Sequence, residues 1–355
     1  MEGNRKITVF QGTCGWTGQQ LGVWEMEGRR PSSSDTKNPL RLYAQFWRAV
    51  EVNSSNYAMP AVDTVETWCK QVPSEFRFTF KAFSLFTHRH VDPKVLPAEV
   101  RKLLTEEQQG QKNVHWSELS SSALNLVWDT FNESLVTAYK HSTAKLGVVA
   151  MFQFQLSFTP TTLNLRHVLE CRRRLDYRIA MAVEFRDRAW FVGDAKKQLN
   201  LLQQLRDRGI ALVHADELQH ETFLSKTKAS GDKTSQDQIV HKVLPVCMDV
   251  TSTEFAYCRI HRRTGFEARR LSQDEIDRWR ERIAVIASEL DNDGVIFVFW
   301  GTEHRNEPLN NGKNLEKALA VVPGVEVAKP KGDGRTGKRD ASIERFFPFM
   351  GVRKS

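Results

Sequence analysis

LGVVAMFQF, residues 146–154, and RIAMAVEF, residues 178–185, are two β-branched and aromatic runs separated by a segment of helical periodicity. Each is apolar nearly throughout rather than at every second position, which is the pattern of a strand covered on both faces. Strand, helix and strand in that order form the repeating unit of a parallel sheet. Working outward, runs of the same kind recur at ITVFQGT (7–13), AVEVNSS (49–55), FRFTFKA (76–82), IALVHA (210–215), FAYCRIH (255–261) and VIFVFW (295–300). Eight parallel strands alternating with helices are expected to close into an α/β fold of the (β/α)8 TIM-barrel type.

The connections carry signals of their own. Pro39 is expected to open a helix running through LRLYAQFWRA, and Ser272 with Glu275 forms a capping box before IDRWRERIAVIASEL. Two connections are longer than the fold needs: residues 89–145, read as two helices, and residues 217–254, read as a polar loop beside the barrel mouth. The barrel domain is assigned to residues 1–328 and a flexible, disordered basic tail to residues 329–355. KPKGDGRTGKRD, which opens that tail, has nothing apolar to bury.

Composition limits the function classes. With 40% hydrophobic and 26% charged residues the chain can bury a core, and no apolar run nears the roughly 20 residues that span a bilayer. No membrane partner is expected. Cys14, Cys69, Cys171, Cys247 and Cys258 are odd in number and show no metal-ligand spacing, which points to reduced thiols. The N-terminus lacks the apolar stretch of a secretory signal, so the expected location is nuclear and/or cytoplasmic. Of the net charge of +8, most sits after residue 328, where eight Lys/Arg face three Asp/Glu.

In such a barrel the chemistry gathers at the C-terminal ends of the strands. Those ends offer Cys14, Gly15 and Trp16, then Glu51 and Asn53, Lys81, Glu184 and Arg186, His214 and Asp216, Arg259 and His261. Period-two alternation puts Glu51 with Asn53, Glu184 with Arg186 and Arg259 with His261 on common faces. Charges inside an apolar wall are costly unless paired, so their convergence predicts a polar pocket. Glu51 has a second reading, as a buried ion pair with Lys81 or Arg259 that only ties strands together. Glu184 with Arg186 reads as a ligand-binding pair, and Trp16 and Trp190 as either packing or stacking surfaces. No local motif specifies a cofactor; a divalent metal on Glu, Asp and His from separate strands is the alternative.

GTCGWTGQQLGVWE, EVNSSNYAMPAVDTVETWCKQVPSEFRFTFKAFSLFTH, AVEFRDRAWF and YCRIHRRTG together resemble the YecE-like family, domain of unknown function 72. The resemblance implies a (β/α)8 barrel. Carried over by motif, it points to Gly15, Trp16, Glu51, Asn53, Tyr57, Pro60, Lys81, Thr87, His88, Glu184, Arg186, Trp190, Arg259 and His261. The chain departs from the family pattern in two places. Phe299, Trp300 and Gly301 stand where Phe-Asn-Asn is usual, and Arg262 replaces a glycine.

In the tail, Asp340, Ile343, Phe346 and Phe347 stand at the spacing of a peptide that binds the DNA sliding clamp (PCNA), with Asp340 in place of the usual glutamine. One helical turn puts Ile343, Phe346 and Phe347 on a single apolar face. The expected partners are therefore the clamp and, through the mouth, nucleic acid.

Three functions fit these residues. The first is an enzyme acting on nucleic acid or a phosphate ester: Lys81, Arg186 and Arg259 hold phosphate, Glu51 or Glu184 is the general base and His261 the general acid. Trp16, Asn53, Tyr57, His88, Trp190 and Asp216 complete its binding surface. The second is a non-catalytic module that holds an anion or DNA in the same pocket. The third is a glycoside-type hydrolase using two carboxylates.

Overall fold

A computed structural model describes residues 6–16, 38–216, 244, 246–261, 270–301 and 307–330. The eight expected strands are present, as β1 (Ile7–Thr13), β2 (Ala49–Val52), β3 (Arg77–Lys81), β6 (Val148–Phe154), β7 (Ala180–Phe185), β8 (Ile210–Ala215), β9 (Phe255–Ile260) and β10 (Val295–Trp300). A two-residue antiparallel pair, β4 (His90–Val91) with β5 (Val114–His115), and a short β11 (Val325–Val327) were not anticipated. Residues 89–145 hold three α-helices rather than two, Ala98–Arg101, Glu106–Gly110 and the long Ser121–His141, besides two short 3-10 turns. The helix opened by Pro39 stops at Tyr43, and the Ser272/Glu275 capping box starts helix Gln273–Glu289 as expected.

The nine-stranded sheet runs β11-β1-β10-β9-β8-β7-β6-β3-β2, every neighbouring pair parallel. It curls on itself in the manner of a TIM barrel, but its ladder does not close, which corrects the closed barrel expected from the strand count. The reason lies at the seam between β1 and β2. The free edge of β1 is taken at Ile7–Val9 by β11, which pairs Val9 with Val327. Above that point the Tyr43 hydroxyl stands in for the missing ladder: it accepts from Thr13 N–H at 2.9 Å and donates to Ala49 O at 2.8 Å. Gly12 permits the close approach, because a Cβ there would collide with the Ala49 carbonyl oxygen.

Alternation sorts the side chains into two layers. Phe10, Ala49, Val149, Met151, Ala182, Val213, Phe255, Tyr257, Phe297 and Phe299 fill the inside of the curl. The other parity, including Val50, Phe78, Phe152, Val183, Leu212, Cys258 and Trp300, packs outward in the larger cluster that also takes in helix residues such as Phe131, Leu135, Ile283 and Leu315. The inward set becomes polar only toward the strand ends, and those ends frame the site. The loop expected over residues 217–254 falls largely outside the described residues. Outside them altogether lie Arg262 and residues 331–355 of the basic tail, with Asp340, Ile343, Phe346 and Phe347.

Candidate functional site at the C-terminal mouth

Inward parity brings Glu51, Thr79 with Lys81, Gln153, Glu184 and Tyr257 with Arg259 to one end of the curled sheet. Arg259 is the hub. Its Nε donates to Glu51 Oε2 at 3.1 Å, its Nη2 to Glu51 Oε1 at 2.9 Å and its Nη1 to Glu184 Oε2 at 2.6 Å. One guanidinium thus spans β2 and β7, using the paired donors that suit a carboxylate. All three side chains are at least 96% buried, with exposures of 4% for Arg259, 0% for Glu51 and 1% for Glu184. Glu51 is thus ion-paired, and of the two partners expected for it, Lys81 or Arg259, it is Arg259 that engages it.

Further donors complete each carboxylate. The Tyr257 hydroxyl donates to Glu51 Oε2 at 2.6 Å and lies 2.9 Å from Thr79 Oγ1. Gln153 Nε2 donates to Glu184 Oε1 at 3.1 Å, and Arg186 pairs with the same oxygen. Burial by itself would push the Glu184 carboxyl up, but Arg186, Arg259 and His261 hold it well below the usual carboxylate range. For Tyr257, burial and then the Glu51 charge raise the phenol well above its ordinary value, so it stays a donor. Glu184 and Arg186, expected to form a ligand-binding pair, are ion-paired with each other.

Lys81 differs from its neighbours. It ends β3, and no hydrogen bond or ion pair engages its amine among the described residues. Burial, followed by the Arg259 charge, lowers its pKa, and Glu51 and Glu184 offset only part of this. Its main chain is held firmly: Ser55 Oγ lies 2.7 Å from Lys81 O, and Asn56 Nδ2 donates to Ala82 O at 2.7 Å. The NSSN turn after β2, residues 53–56, thus sets where Lys81 leaves the sheet. Asn53 Oδ1, at the start of that turn, is buried and has no donor among the described residues.

His88 closes the short helix Ser84–His88 after β3, its Nδ1 3.1 Å from Thr87 Oγ1. Burial and then the nearby Lys81 charge lower its pKa, which favours the neutral ring. His261 follows β9 and gives its backbone N–H to Asp216 Oδ2, joining the ends of β8 and β9. Its imidazole occupies the space a Cβ on Gly301 would need. Gly301, after Phe299 and Trp300, thus makes room for the histidine ring.

Several expected residues sit apart from this cluster. Trp190 is buried, stacked 4.2 Å from Phe185, and its Nε1 donates to Phe158 O at 2.6 Å. Trp16 packs edge-on against Trp68, with ring centroids 5.1 Å apart. Tyr57 is 71% exposed. His214 shares the outward parity of Cys258 and bonds the Cys247 carbonyl, so it turns away from the mouth. Tyr257, Gln153 and Ser55, which the strand-end reading passed over, are structural partners of the ionic network. For Tyr257 and Gln153, strand parity was the available signal. Among the described residues no group of three His, Cys, Asp or Glu stands together as a metal site.

The sequence matches the family described as "Protein of unknown function DUF72" over residues 10–333. Among curated proteins it is similar to the UPF0759 protein YunF of Bacillus subtilis (strain 168), with 22% identity over 331 residues covering 88% of this chain and 95% of that one. Among solved structures it resembles a DUF72 family protein of Enterococcus faecalis V583 at 18% identity and a TM-score of 0.62, over 88% of this chain and 96% of the other. A DUF72 family protein of Thermotoga maritima MSB8 is similar at 18% identity and a TM-score of 0.58, over 88% and 99% of the two chains. These likenesses concern the fold.

Proposed function

The chain belongs to the DUF72 family, and on that premise we propose that its C-terminal mouth binds a phosphate-bearing ligand, a phosphate ester or the backbone of a nucleic acid. The observation that carries this reading is the state of Lys81: a half-buried amine, at the rim of a cluster whose two carboxylates are already engaged by Arg259, Arg186, Tyr257 and Gln153. Lys81, Arg186 and Arg259 together outnumber Glu51 and Glu184. A ligand with negative charge supplies what the described residues leave uncompensated at Lys81.

The geometry divides the labour. Arg259, enclosed by Glu51 and Glu184, is a strut that fixes the rim. Lys81 is the point charge available to a phosphate oxygen, with Arg186, paired to Glu184, near enough for its charge to act on Lys81. Turnover of a phosphate ester would need a group able to accept a proton from water, and Glu184, held low by its cations, is a poor base. His88, kept neutral by burial and by Lys81, suits that role better. The glycoside-type alternative requires a carboxyl that is protonated near neutrality. Both carboxylates here are occupied by Arg259, which argues against it.

The test is direct binding of phenyl phosphate, a dinucleotide and short single- and double-stranded DNA, measured by calorimetry on the full chain and on Lys81→Met. At least one of these ligands should bind to the natural chain and lose tenfold or more in affinity to the variant. Equal affinities, or no binding to either protein, overturn the proposal. Hydrolysis is scored separately with p-nitrophenyl phosphate and the same oligonucleotides, comparing the natural chain with His88→Gln.

A further inference from the structure

The opposite end of the curled sheet carries a second cluster of charge, built differently from the mouth. Arg48 immediately precedes β2 and Arg77 opens β3. The Arg77 N–H donates to Arg48 O at 3.1 Å, so the two side chains leave neighbouring points of the main chain. Both are more than nine-tenths buried, at 5% and 8% exposure. Arg77 lies over the Phe10 ring, 3.4 Å from its centroid, and gives one Nη1–H to Glu75 O at 3.2 Å. Its Nε, and Nη1 of Arg48, meet no acceptor among the described residues. Among the described residues no carboxylate pairs with either arginine.

A guanidinium keeps its proton throughout the working pH range. Burial, and then the Arg48 charge, push Arg77 down only to about 10, so it is cationic at neutrality. Two like charges, withdrawn from water side by side with donors unmet, are costly unless an anion joins them. The Phe10 face compensates part of the Arg77 charge. Nothing described compensates Arg48.

We propose that Arg48 and Arg77 form a binding site for a small tetrahedral oxyanion, phosphate or sulfate, at the N-terminal end of the sheet, with guanidinium N–H groups from both as donors. The planar forks of arginine match the oxygens of such an ion better than a point charge would. Nine-tenths burial suits a small free ion rather than a long ester. The site is separate from the mouth: Arg77 and Lys81 are four residues apart on one strand, about 13 Å at the rise of a β-strand. An ion held only by the folded chain stabilises it by mass action, so this site ties the stability of the fold to anion concentration.

The experiment follows thermal unfolding of the full chain at fixed ionic strength while inorganic phosphate, and separately sulfate, is titrated in. All proteins carry Lys81→Met, which removes the mouth from the comparison and makes the result independent of the function proposed above. The protein with Arg48 intact should gain Tm with rising phosphate or sulfate. Adding Arg48→Met should raise the starting Tm and weaken the anion response tenfold or more. Should Arg48→Met fail to fold, Arg48→Lys keeps the charge without the fork, and equilibrium dialysis of phosphate against it must show the same tenfold loss. An anion response that is equal with and without Arg48, or absent from the Arg48-intact protein, overturns the site.

Discussion

At the mouth, Arg259 is enclosed by Glu51 and Glu184, and each carboxylate takes further donors from other strands. At the other end of the same curl, Arg77 rests on a phenyl ring beside Arg48 with no carboxylate partner described. Both ends bury cations, yet among the described residues only the first compensates them with carboxylates. Compensation from within fixes geometry, because every partner is covalently tethered to a strand. Compensation from outside makes stability depend on what is dissolved around the protein. A buried charge is therefore a strut at one end and a ligand site at the other, and the presence of carboxylates decides which.

The sharpest way to break this comparison is Arg259→Met. It strands two buried carboxylates, and the expected loss is about 3–5 kcal/mol, read from urea unfolding. A loss under about 1 kcal/mol would mean that the mouth network is no strut. Acid should act next. The Glu184 pKa is depressed in the fold from its ordinary 4.5, so the folded state binds its proton less readily than the unfolded chain does. The stability it contributes is present above that ordinary value and is lost as pH falls from there toward the lowered folded value. Denaturant unfolding between pH 7 and pH 3 should show this loss, and Glu184→Gln should flatten its part of it.

The seam gives a smaller effect. Tyr43→Phe removes the hydroxyl that spans Thr13 and Ala49, leaving a buried N–H and carbonyl unmet, at a cost of about 1–3 kcal/mol. Amide exchange at Thr13 should speed up while the β9 amides stay protected. The smallest change in stability is expected from Lys81→Met. It removes a half-buried amine that has no ion-pair partner among the described residues, so unfolding should shift by less than about 1 kcal/mol. Ligand affinity, by contrast, should fall most for this variant. A large destabilisation there would assign Lys81 to the strut instead.

Much of this was legible in the chain before any coordinates. The continuous apolar runs placed eight of the nine strands of the curl, and the strand-end reading named Glu51, Lys81, Glu184, Arg186 and Arg259, which the sheet brings to one end. Alternation also joins Tyr257 to Arg259, although the phenol, two residues deeper, went unremarked. His214, named among the strand-end residues, lies on the outward parity, because its neighbours Val213 and Ala215 occupy the inner one. Trp190 follows β7 in a 3-10 turn, where period two no longer holds, and its ring fell into the aromatic stack of Phe158 and Phe185.

What sequence alone determined is the set of inward polar residues, because the face a side chain takes follows from the two-residue repeat of a strand and needs no knowledge of its neighbours. Which of those residues pair was decided by tertiary structure. Arg259 meets Glu51, 208 positions away, only because the sheet curls, and β11 with Tyr43 determines how that curl ends short of closure. A distance across a curled sheet is set by twist and packing summed over every strand between, and no local stretch of sequence contains that sum.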